Sequence, residues 1–301
     1  MESVKTLLER LRAGDVKALA RCISIVENEE PGHGELLSGL NFDRHVPVIG
    51  VTGPPGAGKS TLVEAMVTHL TGQHKKVMVA AVDPSSPFSR GALLGDRVRM
   101  TKHFNNPAVF IRSFSTRGAL GGLSDKITQV LDVMQASCYD YIILETAGVG
   151  QSEVEIAGIA DTVVLVLVPE SGDEIQAVKS GVMEIADIFV VNKSDRAGAG
   201  SFAAEIEAFV AERKKAGNWI PPVLQTVATR EQGVEEVIKQ AAQHYLLTGR
   251  DRKYSILAAK AYYLIRSRRM RDIDTKTLQK QLESEMKREG FNLYEFVKKI
   301  S

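Results

Sequence analysis

Seven short runs rich in β-branched and apolar residues punctuate the middle of the chain, at 46–53, 76–83, 108–114, 139–146, 162–169, 188–193 and 223–228. Several are apolar throughout rather than alternating, the pattern of strands covered on both faces. Segments with helical spacing lie between most of them, at 59–70, 123–137, 176–185, 202–215 and 234–245. This alternation predicts an α/β fold, a doubly wound, mainly parallel sheet with crossover helices. In such sheets ligands sit beyond the carboxyl ends of the strands, so chemistry is sought just after each run.

Both ends of the chain carry a helical period instead. Leu7, Leu8 and Leu11, then Leu19, Ile23 and Val26, recur at helical spacing before 30–34 breaks the pattern. From about 250 onward Leu257, Ala261 and Leu264 form one stripe, and Leu278, Leu282 and Met286 another. Such stripes read as helices buried against their own domain, with a helical dimer contact as the sharper reading. Arg266, Arg268, Arg269 and Arg271 read as a solvated basic face. The division expected is a helical extension over 1–42, a nucleotide domain over 43–249 and a helical arm over 250–301.

Composition narrows the class of partner. The chain has 301 residues, 44% hydrophobic and 25% charged, enough for a full-sized core. Its 38 Lys plus Arg against 37 Asp plus Glu give a net charge of +1 and no global attraction to nucleic acid or an anionic membrane. The apolar run at 162–168 is strand length, too short to span a bilayer. Cys22 and Cys138 make no disulfide framework, and cytoplasm is the expected compartment. The six histidines include no i, i+4 pair and neither cysteine sits in C-x-x-C, so no zinc or nickel motif stands out.

After the first run comes Gly53-Pro54-Pro55-Gly56-Ala57-Gly58-Lys59-Ser60, a complete G-x-x-x-x-G-K-[ST] between a strand and a helix. Glycines there let backbone N–H groups surround phosphates, and the helix N-terminus adds a favourable dipole. Lys59 would reach the β- and γ-phosphates, Ser60 would ligate Mg²⁺, and Thr61 is a further phosphate contact. The sixth run ends in Asn192-Lys193-Ser194-Asp195. A carboxylate at this place accepts from the guanine ring N–H and its exocyclic amine, a donor pair adenine lacks. Lys193 would cover the base, and the Asn192 amide would tie this loop to the phosphate loop. The nucleotide expected is GTP or GDP, with Val227 and Ala228 completing the base pocket through their backbone.

Asp83 and Glu145 each end an apolar run, as carboxylates that organise Mg²⁺ do; Asp96 lies in the Pro-, Ser- and Gly-rich segment 83–100 and is a further candidate acid. Small GTPases place Asp-x-x-Gly where this chain has Glu145-Thr146-Ala147-Gly148, and the longer Glu favours a contact through water. Gly148 is where a backbone N–H could sense the γ-phosphate. The segments 83–100 and 148–155 read as two switches. Gln151 reads equally as a water-orienting residue and as an ordinary helix opener. No arginine is placed as an internal finger, although Arg90, Arg97 and Arg99 lie in the first switch. Slow hydrolysis accelerated by a partner is expected.

The run Glu145-Thr146-Ala147-Gly148-Val149-Gly150-Gln151-Ser152-Glu153 resembles the methylmalonyl-CoA mutase-associated GTPases, the MeaB/ArgK group. Asp83-Pro84-Ser85-Ser86, Gly95-Asp96-Arg97-Val98-Arg99-Met100 and the stretch from Gln176 to Asp187 resemble the same group. The resemblance covers nearly the whole chain. It implies a SIMIBI-class GTPase, a homodimer through the C-terminal helices, that serves an adenosylcobalamin-dependent acyl-CoA mutase. Such proteins couple GTP to cofactor loading and to protection of the mutase. Lys59 and Ser60 match the nucleotide and metal positions, Asp83, Asp96 and Glu145 the magnesium-organising acids, and Gln176 with Lys179 a third switch. Ala147, Pro87-Phe88-Ser89-Arg90 and Arg196-Ala197-Gly198 depart from the family's usual residues. A nickel-insertion GTPase of related fold is the alternative.

Overall fold

The computed structural model describes residues 2–42, 44–83, 100–115, 125–146, 148, 155–171, 181–212, 219–269, 273, 275–286 and 291–300. Each of the seven apolar runs forms a strand: β1 (Val48–Thr52), β2 (Val77–Asp83), β3 (Val109–Ser115), β4 (Tyr141–Thr146), β5 (Thr162–Leu167), β6 (Ile188–Val191) and β7 (Val223–Gln225). They pair in the order β3-β2-β4-β1-β5-β6-β7. Every pair is parallel, so the sheet expected to be mainly parallel is wholly so. Among the described residues the α-helices are α1 (Val4–Arg12), α2 (Val16–Glu27), α3 (His33–Ser38), α4 (Lys59–Gly72), α5 (Asp125–Gln135), α6 (Val182–Ile185), α7 (Ala199–Glu212), α8 (Val234–Arg269), α9 (Thr275–Glu285) and α10 (Leu293–Ile300).

The apolar runs are explained by helices on both faces of the sheet. On one face Leu11, Leu19, Ile23, Val130 and Met134 pack with Met78, Phe110, Ile142 and Leu144. Further along the same side Phe202 and Ile206 of α7 meet Leu165, Phe189 and Val191. On the other face Leu62, Val63 and Met66 of α4 and Val237 of α8 meet Ile49, Val51, Ile143 and Val166. Each fully buried side chain of this size contributes about 1.5–3 kcal/mol. The first three helices therefore share a core with the sheet. Asp15 starts α2 by accepting hydrogen bonds from the Lys17 and Ala18 N–H groups at 2.8 and 3.1 Å.

Residues Met1–Tyr254 form one compact unit and Ser255–Ser301 a second. In the second, Phe296 is buried, with the Phe291 ring 6.3 Å away. In the two stripes Leu257, Leu264 and Met286 are 48%, 38% and 65% exposed, while Leu278 and Leu282 are half-buried. Arg266 and Arg269 are exposed. Among the described residues, no helix is long and apolar enough to cross a membrane.

A buried polar cluster anchors α8 under the sheet, at the amino-terminal ends of β5 and β6. Arg252 NH1 donates to both Asp187 oxygens at 2.9 and 2.7 Å, and its Nε donates to the Ala160 carbonyl at 3.2 Å. Val163 N–H donates to Asp187 Oδ2, while His244 lies 3.3 Å from Oδ1 and 2.8 Å from the Thr162 hydroxyl. Trp219 Nε1 donates to the Asp187 carbonyl, and its ring meets His244 edge-on. Burial alone would raise the Asp187 carboxyl; the hydrogen bond from His244 and the charges of Arg252 and His244 outweigh it and hold it below the ordinary carboxylate range. A carboxyl lowered on folding adds stability that is full above its unfolded value and is lost as pH falls through the folded one.

Removing Arg252 leaves a buried carboxylate short of its cation. Arg252→Ala is expected to cost about 3 kcal/mol of stability, read from denaturant melts at pH 7. The difference between variant and wild type should shrink below about pH 4 as Asp187 protonates. A pH-independent difference would show that the lost packing, not the charge pair, carries the effect.

Candidate active site

The phosphate loop leaves the carboxyl end of β1 and turns straight into α4. Gly58 caps α4 at φ +88°, and a Cβ there would lie 2.4 Å from the Asn192 side-chain nitrogen. Only glycine fits that approach. Lys59 is buried, and its Nζ donates to the Gly53 and Pro54 carbonyls at 2.8 and 3.0 Å. Ser60 is buried beside it, and its hydroxyl donates to Glu145 Oε1 at 2.6 Å. Glu145 is 3% exposed at the end of β4. Its register partner across the ladder is Val51 of β1. Thr61 follows in the first turn of α4, half-buried.

Gly148 closes this site from the β4 side. It sits at φ +79°, and a Cβ there would come within 2.2 Å of the Gly53 carbonyl oxygen and 2.5 Å of Lys59 Nζ. Gly148 thus lies in contact with the phosphate loop, where a phosphate-sensing N–H was expected. Between the two strand ends, Thr146 Oγ1 donates to Thr52 Oγ1 at 2.9 Å. The sequence reading gave neither threonine a role; each is a hydroxyl on the last residue of its strand, after Val51 in β1 and after Glu145 in β4.

The loop after β6 is joined to the phosphate loop through the side chains of Asn192 and Lys193. Asn192 is 2% exposed; its Nδ2 donates to the Ala57 carbonyl at 2.9 Å. Its Oδ1 accepts from Thr226 Oγ1 at 3.1 Å and from the Ala228 N–H at 3.2 Å. Ala228 therefore spends its N–H on Asn192 rather than opening it to a base, and Val227 N–H donates to the Gln232 carbonyl. Lys193 adopts φ +56°, and its Nζ donates to the Gly56 carbonyl at 2.8 Å. Three segments distant in sequence are gathered at one point.

Asp195, expected in a partly enclosed place, is 40% exposed, with Arg230 NH2 3.8 Å from Oδ2. An ion pair this open is worth little by itself. Next to it Arg196 pairs with Glu170, which follows β5; hydrogen bonding to that guanidinium lowers the Glu170 carboxyl. Of Asp83 only the backbone, at the end of β2, is described. Asp96, Gln151, Gln176, Lys179, Arg90, Arg97 and Arg99 lie outside the described residues. Among the described residues no group of three or more His, Cys, Asp or Glu gathers as a metal cluster.

Comparison with known proteins gives a consistent pattern. The family model "Methylmalonyl Co-A mutase-associated GTPase MeaB" matches residues 19–280. A Pyrococcus horikoshii protein with GTPase in its name is 46% identical over 251 residues, 81% of this chain and 78% of its own. The Escherichia coli GTPase ArgK is 38% identical over 76% of this chain and 72% of its own. A Caenorhabditis elegans protein named methylmalonic aciduria type A homolog, mitochondrial, is 35% identical over 78% of this chain and 64% of its own. Among solved structures, a LAO/AO transport system kinase superposes with a TM-score of 0.69 at 26% identity, over 98% of this chain and 95% of its own.

Proposed function

We propose that this chain, which belongs to the MeaB family of methylmalonyl-CoA mutase-associated GTPases, uses GTP to gate adenosylcobalamin loading onto an acyl-CoA mutase of the methylmalonyl type and to protect that enzyme. The chain is a GTPase; the mutase, the cofactor it receives and the homodimer are what the proposal adds. The observation that carries the nucleotide half is the Asn192 amide, which joins the phosphate loop to the loop bearing Asp195. In this reading Asp195 accepts from the guanine edge and Lys193 covers its face.

Lys59 holds the β- and γ-phosphates in line, and the phosphate-loop N–H groups with the start of α4 orient them. The donor set at Ser60 and Glu145, two buried hard oxygen groups 2.6 Å apart, fits Mg²⁺. These two residues would hold the ion directly or through its waters, with Asp83 and Asp96 assigned to the same shell from sequence. Bound Mg²⁺ supplies charge neutralisation on the phosphates. Gly148, packed on the phosphate loop, is positioned to register the γ-phosphate and pass its loss to the segment that follows.

The mutase role draws on the family name and on the name of the Caenorhabditis elegans relative. A homodimer through the C-terminal helices is supported by the exposed Leu257, Tyr262, Leu264 and Ile265. The nickel alternative rests on fold alone: HypB from Helicobacter pylori, solved in complex with nickel, superposes at TM-score 0.51 and 15% identity. Hydrolysis of GTP measured with and without methylmalonyl- and isobutyryl-type mutases tests the proposal. Stimulation of about tenfold or more by one of them is expected, as for partner-completed GTPases. A rate that no mutase changes would remove the mutase role and leave the GTPase standing.

A further inference from the structure

The two strands that carry the chemistry are tied together at their last rung by side chains rather than by the ladder. β1 and β4 are parallel neighbours with Val51 opposite Glu145, which sets Thr52 opposite Thr146 one residue later. Successive side chains on a strand point to opposite faces. Glu145 faces α4, where the Ser60 hydroxyl meets it at 2.6 Å. Thr52 and Thr146 therefore face the other way, and Thr146 Oγ1 donates to Thr52 Oγ1 at 2.9 Å. Both threonines are at most 1% exposed. Just beyond them Thr52 leads into Gly53 and the phosphate loop, and Thr146 leads toward Gly148, which lies against Gly53.

We infer that the Thr146–Thr52 hydroxyl pair is a positioning clasp for the magnesium site, fixing the gap between the phosphate loop and Glu145 so that Ser60 and Glu145 meet. Neither hydroxyl touches the reacting atoms. Packing alone does not call for them, because a hydrogen-bonded pair buried in an apolar layer can be replaced by two apolar groups of the same shape at nearly no cost to stability. What the pair adds is direction. A hydrogen bond of defined length sets the distance between β1 and β4 where their mutual ladder ends, while Thr52 still pairs with Leu165 of β5 and Thr146 with Val82 of β2. Small displacements of positioned groups are costly in catalysis. The inference rests on the magnesium reading above and assigns its geometry to two residues outside the metal shell.

Three variants test it: Thr146→Val, Thr146→Ser, and Thr52→Val with Thr146→Val. The main readout is the Mg²⁺ concentration that half-maximally slows release of a fluorescent GDP analogue; kcat for GTP and melting without nucleotide or metal accompany it. Thr146→Val is expected to raise that concentration about tenfold and to lower kcat, with nucleotide affinity in EDTA unchanged. Thr146→Ser, which keeps the hydroxyl, should remain within about twofold of wild type. The double variant should melt like wild type yet keep the raised Mg²⁺ requirement, a split that a purely structural role would not produce. If Thr146→Val fails to fold, the double variant carries the test. A half-saturating Mg²⁺ unchanged in the folded variant, with a Mg²⁺-dependent wild type, overturns the clasp alone. A wild type whose GDP release ignores Mg²⁺ overturns the metal reading and the clasp with it.

Discussion

Asp195→Asn is expected to weaken GTP and GDP binding by about a hundredfold or more, and to do so without disturbing the fold. A carboxylate at the end of the Asn192-Lys193-Ser194-Asp195 loop can accept two hydrogen bonds from guanine, one from the ring N–H and one from the amine. Hydrogen bonds to a charged acceptor contribute about 1.5–3 kcal/mol each, and an amide retains one acceptor while aiming a donor at the guanine amine. The loss is therefore more than one bond. Asp195 is 40% exposed and Arg230 stands 3.8 Å away, so its replacement removes no buried partner and should leave melting unchanged. The same amide donor suits xanthine, which carries a carbonyl where guanine has its amine. Titration with fluorescent GDP and XDP should show affinity passing from the first to the second. Unchanged GDP affinity would sink the guanine assignment.

The sheet was legible because its strands are buried on both faces, which turns β1, β5 and β6 into unbroken apolar runs bounded by glycine, proline or charge. The end of the helix after β7 was not. The pattern from Val234 stops at Tyr245, where Leu246, Leu247, Thr248 and Gly249 bring exposed apolar residues and a glycine; the helix nonetheless runs on to Arg269. An interior glycine costs about 1 kcal/mol. The grip of Arg252 on Asp187 and of Thr248 on His244 offsets it. Those partners are 65 and 4 residues apart, and a local window sees only the second.

The candidate site divides in the same way. Asn192, Lys59 and Ser60 announce themselves because their chemistry depends on spacing within one loop. The use of Ala228 to hold the Asn192 amide, and the approach of Gly148 to the phosphate loop, depend on which strand lies beside which. Thr52 and Thr146 are 94 residues apart, and nothing near either one points to the other. Parallel topology makes such partners common, since every adjacent strand is separated by a crossover. A motif thus identifies the groups that touch the ligand far better than the groups that aim them.

Lys59→Ala is expected to lower kcat for GTP hydrolysis by about a thousandfold, since electrostatic stabilisation of the transferring phosphoryl group is nearly all the protein contributes and single preorganised groups account for effects of this order. Lys59 is buried against the Gly53 and Pro54 carbonyls, 2.8 and 3.0 Å from its ammonium. The compact charge is therefore held at the loop's mouth rather than on a free stem, with little reorganisation left for the moment of reaction. The same enclosure separates lysine from arginine. A planar guanidinium needs more width and sends its donors out in a fork, and Gly148 already approaches so closely that an added Cβ would stand 2.5 Å from Nζ. Lys59→Arg should consequently fail to rescue turnover although it keeps the charge. Single-turnover hydrolysis at saturating GTP separates this loss from weaker binding. Arginine restoring more than about a tenth of wild-type kcat would mean that charge alone suffices at this position and that the tight seat of Lys59 contributes little to catalysis.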